Sequence, residues 1–288
     1  MAGSGLEAAL AGVRGLLLDL DGVIVLAERP IPGAAEALEE LDRRATPYLV
    51  VTNTSLVSRS TLSKVGARMG LRTPPDRFQT ALSATAAYCA TRFAGQPLFV
   101  LATADALAEF AGQQVVSVAD VDGGASVAAV VLGDAVEELD RPNLDRAFRL
   151  VRGGAELIGM HRNKWWVTPG GLVLDAGAYL AGLEYATDVR ATVVGKPSRA
   201  FFAMAADRLS EELAARTGRR RIPRSALAMV GDDVASDIGG ARRAGLRTVF
   251  VRTGKHGDAE LEAAARGRHG YRPDAIATSI LEVVRALA

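Results

Sequence analysis

Four segments carry the side chains that can do chemistry, and each begins where an apolar run stops. After Leu16-Leu17-Leu18 come Asp19, Asp21 and Gly22. A carboxylate such as Asp19 can attack an electrophile. A second acid two residues on, Asp21, can pass a proton to a leaving group, and Gly22 lets the chain turn sharply. After Tyr48-Leu49-Val50-Val51 come Thr52, Asn53, Thr54 and Ser55. Their hydroxyl, amide and backbone N–H groups suit the oxygens of a phosphoryl group. The same residues suit the cap of a following helix, through Ser55 or Ser58. After Thr192-Val193-Val194 comes Gly195-Lys196-Pro197-Ser198, where an ammonium at a strand end can neutralise a carboxylate and a phosphate together. The chain has only four lysines, Lys64, Lys164, Lys196 and Lys255, so a lysine at this position is unlikely to be there by chance. After Leu227-Ala228-Met229-Val230 come Gly231, Asp232, Asp233 and, four residues later, Asp237. Oxygen ligands at this density suit Mg²⁺, which binds one or two carboxylates together with a phosphate. Helix capping accounts for one such acid but not for three.

The elements that must position these groups follow from the pattern between them. Strands are expected at 15–18, 48–51, 78–80, 192–194, 227–230 and 248–251, with helices at 33–44, 58–69 and 82–92. In the first helix Ala34, Leu38 and Leu41 fall on one face. Strands alternating with helices imply a parallel sheet with right-handed crossovers. All four motifs then converge on one edge of that sheet, where open α/β sheets place their ligands. The middle of the chain reads as a second α/β unit inserted into the first. It has strands at 97–101, 115–118 and 127–132 and helices near 104–111, 141–152 and 175–186. A loop rich in Asp and Gly spans 119–125, and a polar segment spans 161–171. The expected domains are 1–92 and 192–288 for the core and 93–191 for the insert.

Composition narrows the function classes. The chain is 49% hydrophobic and 23% charged, with net charge +1 from 34 basic and 33 acidic residues. This balance gives no electrostatic footprint for nucleic acid or for an anionic membrane surface. Cys89 stands alone, so an internal disulfide is excluded and a cysteine-based zinc site is not expected. His161, His256 and His269 are too scattered for a histidine metal cluster. No run approaches the roughly 20 apolar residues that span a bilayer, and the first apolar run is cut by Asp19. A reducing cytoplasmic location is expected.

The stretches LLLDLDGVIV, LVVTNTSLVSR, ATVVGKPSRAFF and MVGDDVASDIGGARRAGLRTVFVRTGK, in this order, resemble the haloacid dehalogenase superfamily of aspartate-nucleophile hydrolases. Thirty residues separate Asp21 from Thr52, and 143 separate Thr52 from Lys196. The insert therefore lies between the second and third motifs, as in the C2-capped (subfamily IIA) class. Within that class the chain is similar to the branch of pyridoxal phosphate phosphatase and the phospholysine phosphohistidine inorganic pyrophosphate phosphatase. The resemblance implies a Rossmann-like α/β core with a C2 cap. It implies Asp19 as nucleophile, Asp21 as general acid/base, and Thr52, Asn53 and Lys196 on the phosphoryl group. It implies Mg²⁺ on Asp19, the Asp21 backbone carbonyl and Asp232, with Asp233 and Asp237 in support. The activity implied is Mg²⁺-dependent hydrolysis of a small phosphorylated metabolite through an aspartyl-phosphate. Transfer of the same phosphoryl group by a phosphotransferase or phosphomutase would use the same residues, whereas a non-catalytic phospho-ligand sensor would not need all of them. A homodimer is a further expectation from the resembled branch. The four motifs see only phosphate, so selectivity is expected from the insert, in the loop around Gly123 and Gly124 and in His161–Thr168. There Trp165 and Trp166 are expected as packing anchors.

Overall fold

A computed structural model describes residues 3–168, 170–218, 222–267 and 270–287; Pro169 and His269 lie outside this set. The chain divides into two compact units. The first comprises Met1–Thr52, Leu62–Gln79 and Lys196–Ala288, and the second Asn53–Thr61 and Thr80–Gly195. The division passes between Thr52 and Asn53 and between Gly195 and Lys196, within the second and third motifs.

The first unit is built on a six-stranded sheet. Its order is Ala275–Ala277, Arg247–Val251, Leu227–Gly231, Gly15–Asp19, Tyr48–Thr52 and Phe78–Thr80. The first five of these strands pair in parallel. Strand Gly15–Asp19 is buried along its whole length, as expected for a central parallel strand covered on both faces. Leu16 and Leu18 share a core with Leu38 and Leu41 of helix Ala34–Arg43 and with Val283 and Val284 of helix Ile280–Arg285. The long helix Arg199–Thr217 packs on strands Gly15–Asp19 and Tyr48–Thr52 and buries Phe201 and Phe202. From the central strand the chain builds outward on one side through 48–52 and 78–80. It later builds on the other side through 227–231, 247–251 and 275–277. The strand order therefore reverses between Gly15–Asp19 and Leu227–Gly231, the point at which doubly wound sheets open a crevice.

The second unit has its own parallel sheet, in the order Thr192–Val193, Glu156–Gly159, Ala129–Leu132 and Leu98–Leu101. Helices Arg141–Arg152 and Ala176–Thr187 bury Val151, Leu180 and Leu183 in its core. Strand Glu156–Gly159 was not anticipated from the sequence. It is short, and only its pairing with two neighbours defines it. The strand expected at 115–118 is replaced by one isolated bridge, Leu98 to Val115. A helix, Val118–Asp122, then occupies part of the expected loop. Ser117 explains the change: its Oγ accepts the Asp120 N–H at 3.2 Å while the Asp120 carboxylate accepts the Ser117 N–H at 2.8 Å. This reciprocal cap starts a helix where β-branched valines alone suggest a strand. The polar segment 161–171 contains a hairpin strand, Trp165–Thr168, paired antiparallel with Gly171–Leu174. Trp165 and Trp166 are exposed and not packing anchors, since the strand that carries them pairs only with Gly171–Leu174 among the described residues.

Leu16→Ala removes a fully buried side chain from the strand that carries Asp19. Large-to-small changes of this kind cost about 2–5 kcal/mol. Urea unfolding should show a lower midpoint with an unchanged slope.

Candidate active site

Asp19 ends the central strand, aligned with Val51, so Thr52 lies one residue further along the same sheet edge. On the other side Leu18 aligns with Val230, which places Asp232 at that edge too. Register alone thus gathers residues more than two hundred positions apart. Lys196 adds the central contact. Its buried ammonium donates to Asp19 Oδ1 at 2.6 Å and to Asp237 Oδ1 at 2.8 Å. Asp19 Oδ1 also accepts the Leu20 N–H at 2.7 Å, which fixes the carboxylate's direction.

Asp237 is placed by the turn after Gly231. Asp233 caps that turn, its Oδ1 accepting the N–H groups of Ala235 at 2.9 Å and Ser236 at 2.8 Å. The turn Val234–Gly239 is wound with i→i+5 hydrogen bonds, a wide form often found at functional sites. It returns Asp237 to the strand end, where Oδ2 accepts the Asp233 N–H at 3.1 Å. Asp233 itself pairs with Lys255 Nζ at 2.8 Å. The Lys255 backbone N–H donates to Asp232 Oδ2 at 2.7 Å, and Thr253 Oγ1 donates to the Gly22 carbonyl at 2.6 Å. The loop 253–255 therefore clasps both acidic motifs. Gly22 and Gly254 lie against the Asp232 carboxylate so closely that a Cβ on either would occupy its space. Gly22 also has φ of +84°, a conformation that L side chains rarely adopt.

The electrostatics follow from this crowding. Burial pushes the Asp19 pKa up, and although Lys196 opposes this, Asp232 and Asp21 add to it. Burial together with the Asp237 charge raises Asp232 to about 6. Burial and the Asp19 charge raise Asp237 to about 8. Asp21 keeps access to solvent, yet its dense surroundings also push its pKa up. Asp233 moves the other way: burial opposes its charge, but the Lys255 ammonium holds it down at about 2. Burial disfavours the Lys196 charge, yet Asp19 and Asp237 raise its pKa above the ordinary lysine value, so it is a permanent cation.

Asp19, Asp232 and Asp237 are buried, and each offers a carboxylate oxygen within 4.8 Å of the others. A set of hard oxygen donors whose mutual repulsion raises their pKa values fits a hard divalent cation. The structure thus brings together Asp19, Asp21, Lys196, Asp232, Asp233 and Asp237, with Thr52 on the same edge. Asp237 joins the carboxylate cluster directly, a closer position than the supporting one expected. Asn53 belongs to the second unit, where its Nδ2 donates to Asn163 Oδ1 at 3.2 Å. Sequence reasoning missed Thr253, Gly254 and Lys255. The rarity of lysine was the one signal that could have pointed to Lys255.

Comparison with known proteins agrees with this geometry. A haloacid dehalogenase-like hydrolase family profile matches residues 16–115, and a HAD-hydrolase-like profile matches residues 193–283. Haloacid dehalogenase-like hydrolase domain-containing protein 2 of Bos taurus is 35% identical over 246 residues, 85% of this chain and 86% of its own length. The phospholysine phosphohistidine inorganic pyrophosphate phosphatase of Xenopus laevis is 34% identical over 252 residues, 85% of each chain. Among solved structures, 4-nitrophenylphosphatase from Thermotoga maritima superposes with a TM-score of 0.81 at 26% identity, covering 97% of this chain and 99% of its own. With its acidic cluster and lysine at the reversal of a doubly wound sheet, this chain belongs to the haloacid dehalogenase-like hydrolases and is an enzyme of their phosphatase group.

Proposed function

We propose that the protein hydrolyses a small phosphorylated metabolite through a phosphoryl group carried on Asp19, with Mg²⁺ as its cation. The observation that carries this reading is the buried ammonium of Lys196 between Asp19 and Asp237, with Asp232 beside them. Asp19 is held at Oδ1 by two donors, so its carboxylate enters the reaction already oriented. It attacks phosphorus and forms an aspartyl-phosphate as the bond to the leaving oxygen breaks. Asp21, whose pKa is raised, gives that oxygen its proton. Asp21 then takes a proton from the water that attacks the aspartyl-phosphate, releasing inorganic phosphate and regenerating Asp19.

The transferring phosphoryl group spreads negative charge over its oxygens, and Lys196 together with the Thr52 and Asn53 groups is assigned to meet it. Mg²⁺, held by Asp19, Asp232 and the Asp21 backbone carbonyl, supplies further neutralisation of this charge when bound. Asp237 contributes by fixing Lys196, and Asp233 by fixing the turn that carries Asp237. Residues 93–191 are assigned the cap role, with substrate choice in His161–Thr168.

Asp19→Asn should abolish phosphate release while keeping the far-ultraviolet circular dichroism of the parent, with a lower unfolding midpoint because the buried Lys196 ammonium loses a charged partner. The amide keeps the shape but loses the nucleophile. Substantial turnover by the folded variant would remove the covalent mechanism.

Exhaustive treatment with a chelator should stop hydrolysis, and added Mg²⁺ should restore it. Undiminished phosphate release from metal-free protein would rule the cation out.

Asp21→Asn should slow hydrolysis of an alkyl phosphate by about 10²–10⁴-fold. An aryl phosphate with an acidic phenol, which leaves without protonation, should lose much less in a single-turnover measurement of the first step. Equal losses on both would assign Asp21 to another task.

A further inference from the structure

Inside the second unit a closed ring of hydrogen bonds joins two segments more than a hundred residues apart. Asn53 Nδ2 donates to Asn163 Oδ1 at 3.2 Å. The Asn163 backbone N–H lies 3.3 Å from His161 Nδ1. His161 Nε2 is 2.9 Å from Ser55 Oγ, and the chain from Ser55 back to Asn53 closes the ring. The ring fixes the imidazole's state. A backbone N–H can only donate, so Nδ1 must accept and the proton sits on Nε2, which donates to Ser55 Oγ. Ser55 Oγ also accepts the Asp134 N–H at 2.9 Å. Burial holds the His161 pKa below its ordinary value against the two acids that face it, Asp175 and Asp134, which keeps the ring neutral. The Asp175 carboxylate is 3.6 Å from the same Nε2 and accepts the Ala176 N–H instead. The three residues Ser55, His161 and Asp175 therefore do not form a proton relay, which would need the acid on Nδ1.

The corner at 161–164 is gripped from its other side as well. Gly177 donates its N–H to the Asn163 carbonyl at 3.0 Å, and Asp175 donates to the Lys164 carbonyl at 3.1 Å. Gly195 donates to the Met160 carbonyl at 2.8 Å, and a Cβ on Gly195 would lie 2.8 Å from Asn53 Oδ1. Asn53 thus has little room on one side and the Asn163 carboxamide on the other.

We propose that His161 is a positioning residue: its two ring nitrogens tie the Asn163 corner to the Asn53–Ser55 loop and so fix the carboxamide of Asn53 for phosphate. This rests on the assignment of Asn53 to phosphate binding made above. His161 is buried, so within the segment His161–Thr168 it is assigned an action through Asn163 and Asn53 and not a contact of its own with substrate.

The test uses the full-length, Mg²⁺-loaded protein and the variants Asn53→Ala, Asn163→Ala and His161→Gln. Glutamine can keep a donor for Ser55 at the end of its side chain but has no acceptor at the Nδ1 position for the Asn163 N–H. Calorimetry with inorganic phosphate gives Kd, and 4-nitrophenyl phosphate hydrolysis gives KM and kcat. Loss of one oriented hydrogen bond should weaken phosphate binding and raise KM by about tenfold in each variant. Any fall in kcat should be no larger for His161→Gln and Asn163→Ala than for Asn53→Ala, since both act only through Asn53, a ceiling that mere loss of stability would not set. His161→Gln combined with Asn163→Ala should be no worse than either alone, because both break the same ring. If Asn53→Ala weakens phosphate binding and His161→Gln does not, or if the two ring variants add fully, the positioning role falls and the assignment of Asn53 stands. If Asn53→Ala leaves Kd and KM unchanged, or the parent binds no phosphate, both fall. Should His161→Gln fail to fold, Asn163→Ala, at the exposed end of the ring, decides by the same criterion.

Discussion

The site is organised around one buried cation. Lys196 has its ammonium almost fully removed from water, which is costly unless charge and hydrogen bonds replace the lost hydration. Asp19 and Asp237 provide both, and each is buried in turn. Neither carboxylate is stable there without the lysine, and the lysine is not stable without them. Deleting one member of such a buried group typically costs about 3–5 kcal/mol, because the others are left as unpaired charges. The arrangement therefore holds the nucleophile in place before substrate arrives, and the stability of the core depends on it.

Three acids around one lysine leave an excess of negative charge, and the chain limits this excess unevenly. Asp233, four residues before Asp237, is matched by Lys255 and is held fully ionised. Asp232 accepts the Lys255 backbone N–H, and burial together with the Asp237 charge raises its pKa to about 6. The acids whose pKa values are raised are the ones gathered at the sheet edge, while the acid that caps the turn is stabilised as a charge. One local sequence, Asp232-Asp233-Val234-Ala235-Ser236-Asp237, thus holds a structural acid between two site acids. The close approach of Gly22 and Gly254 to Asp232 adds a steric condition, since any side chain at either place would displace the carboxylate.

Much of this was legible from residue types and spacing. Apolar runs ending in Asp19, Thr52 and Asp232 named three strands of one sheet and the edge on which they meet, because strands buried on both faces leave their chemistry only at their ends. The run before Lys196 was expected in that sheet too, but Thr192–Val193 pairs with Glu156–Gly159 in the second unit's sheet. The insertion between Thr52 and Lys196 followed from counting residues. Local hydrogen bonds that compete with propensity were less visible. Ser117 and Asp120 turned an expected strand into a capped helix, and strand Glu156–Gly159 exists only because two neighbours pair with it.

The sequence by itself determined which groups can react and, for Asp19, Thr52 and Asp232, which strands carry them, since apolar periodicity and strand-end acids are local properties. Tertiary structure alone decided who partners whom. Asp237 became the second anchor of Lys196 because the wide turn 234–239 carries it back to the strand end. Lys255 entered the site through a backbone N–H, a donor that every residue but proline has and that no side-chain pattern can flag. His161 found Ser55 and Asn163 found Asn53 by the same kind of long-range closure. Such pairings depend on register and on how loops fold back, and these are set by packing over the whole unit, not by neighbours along the chain.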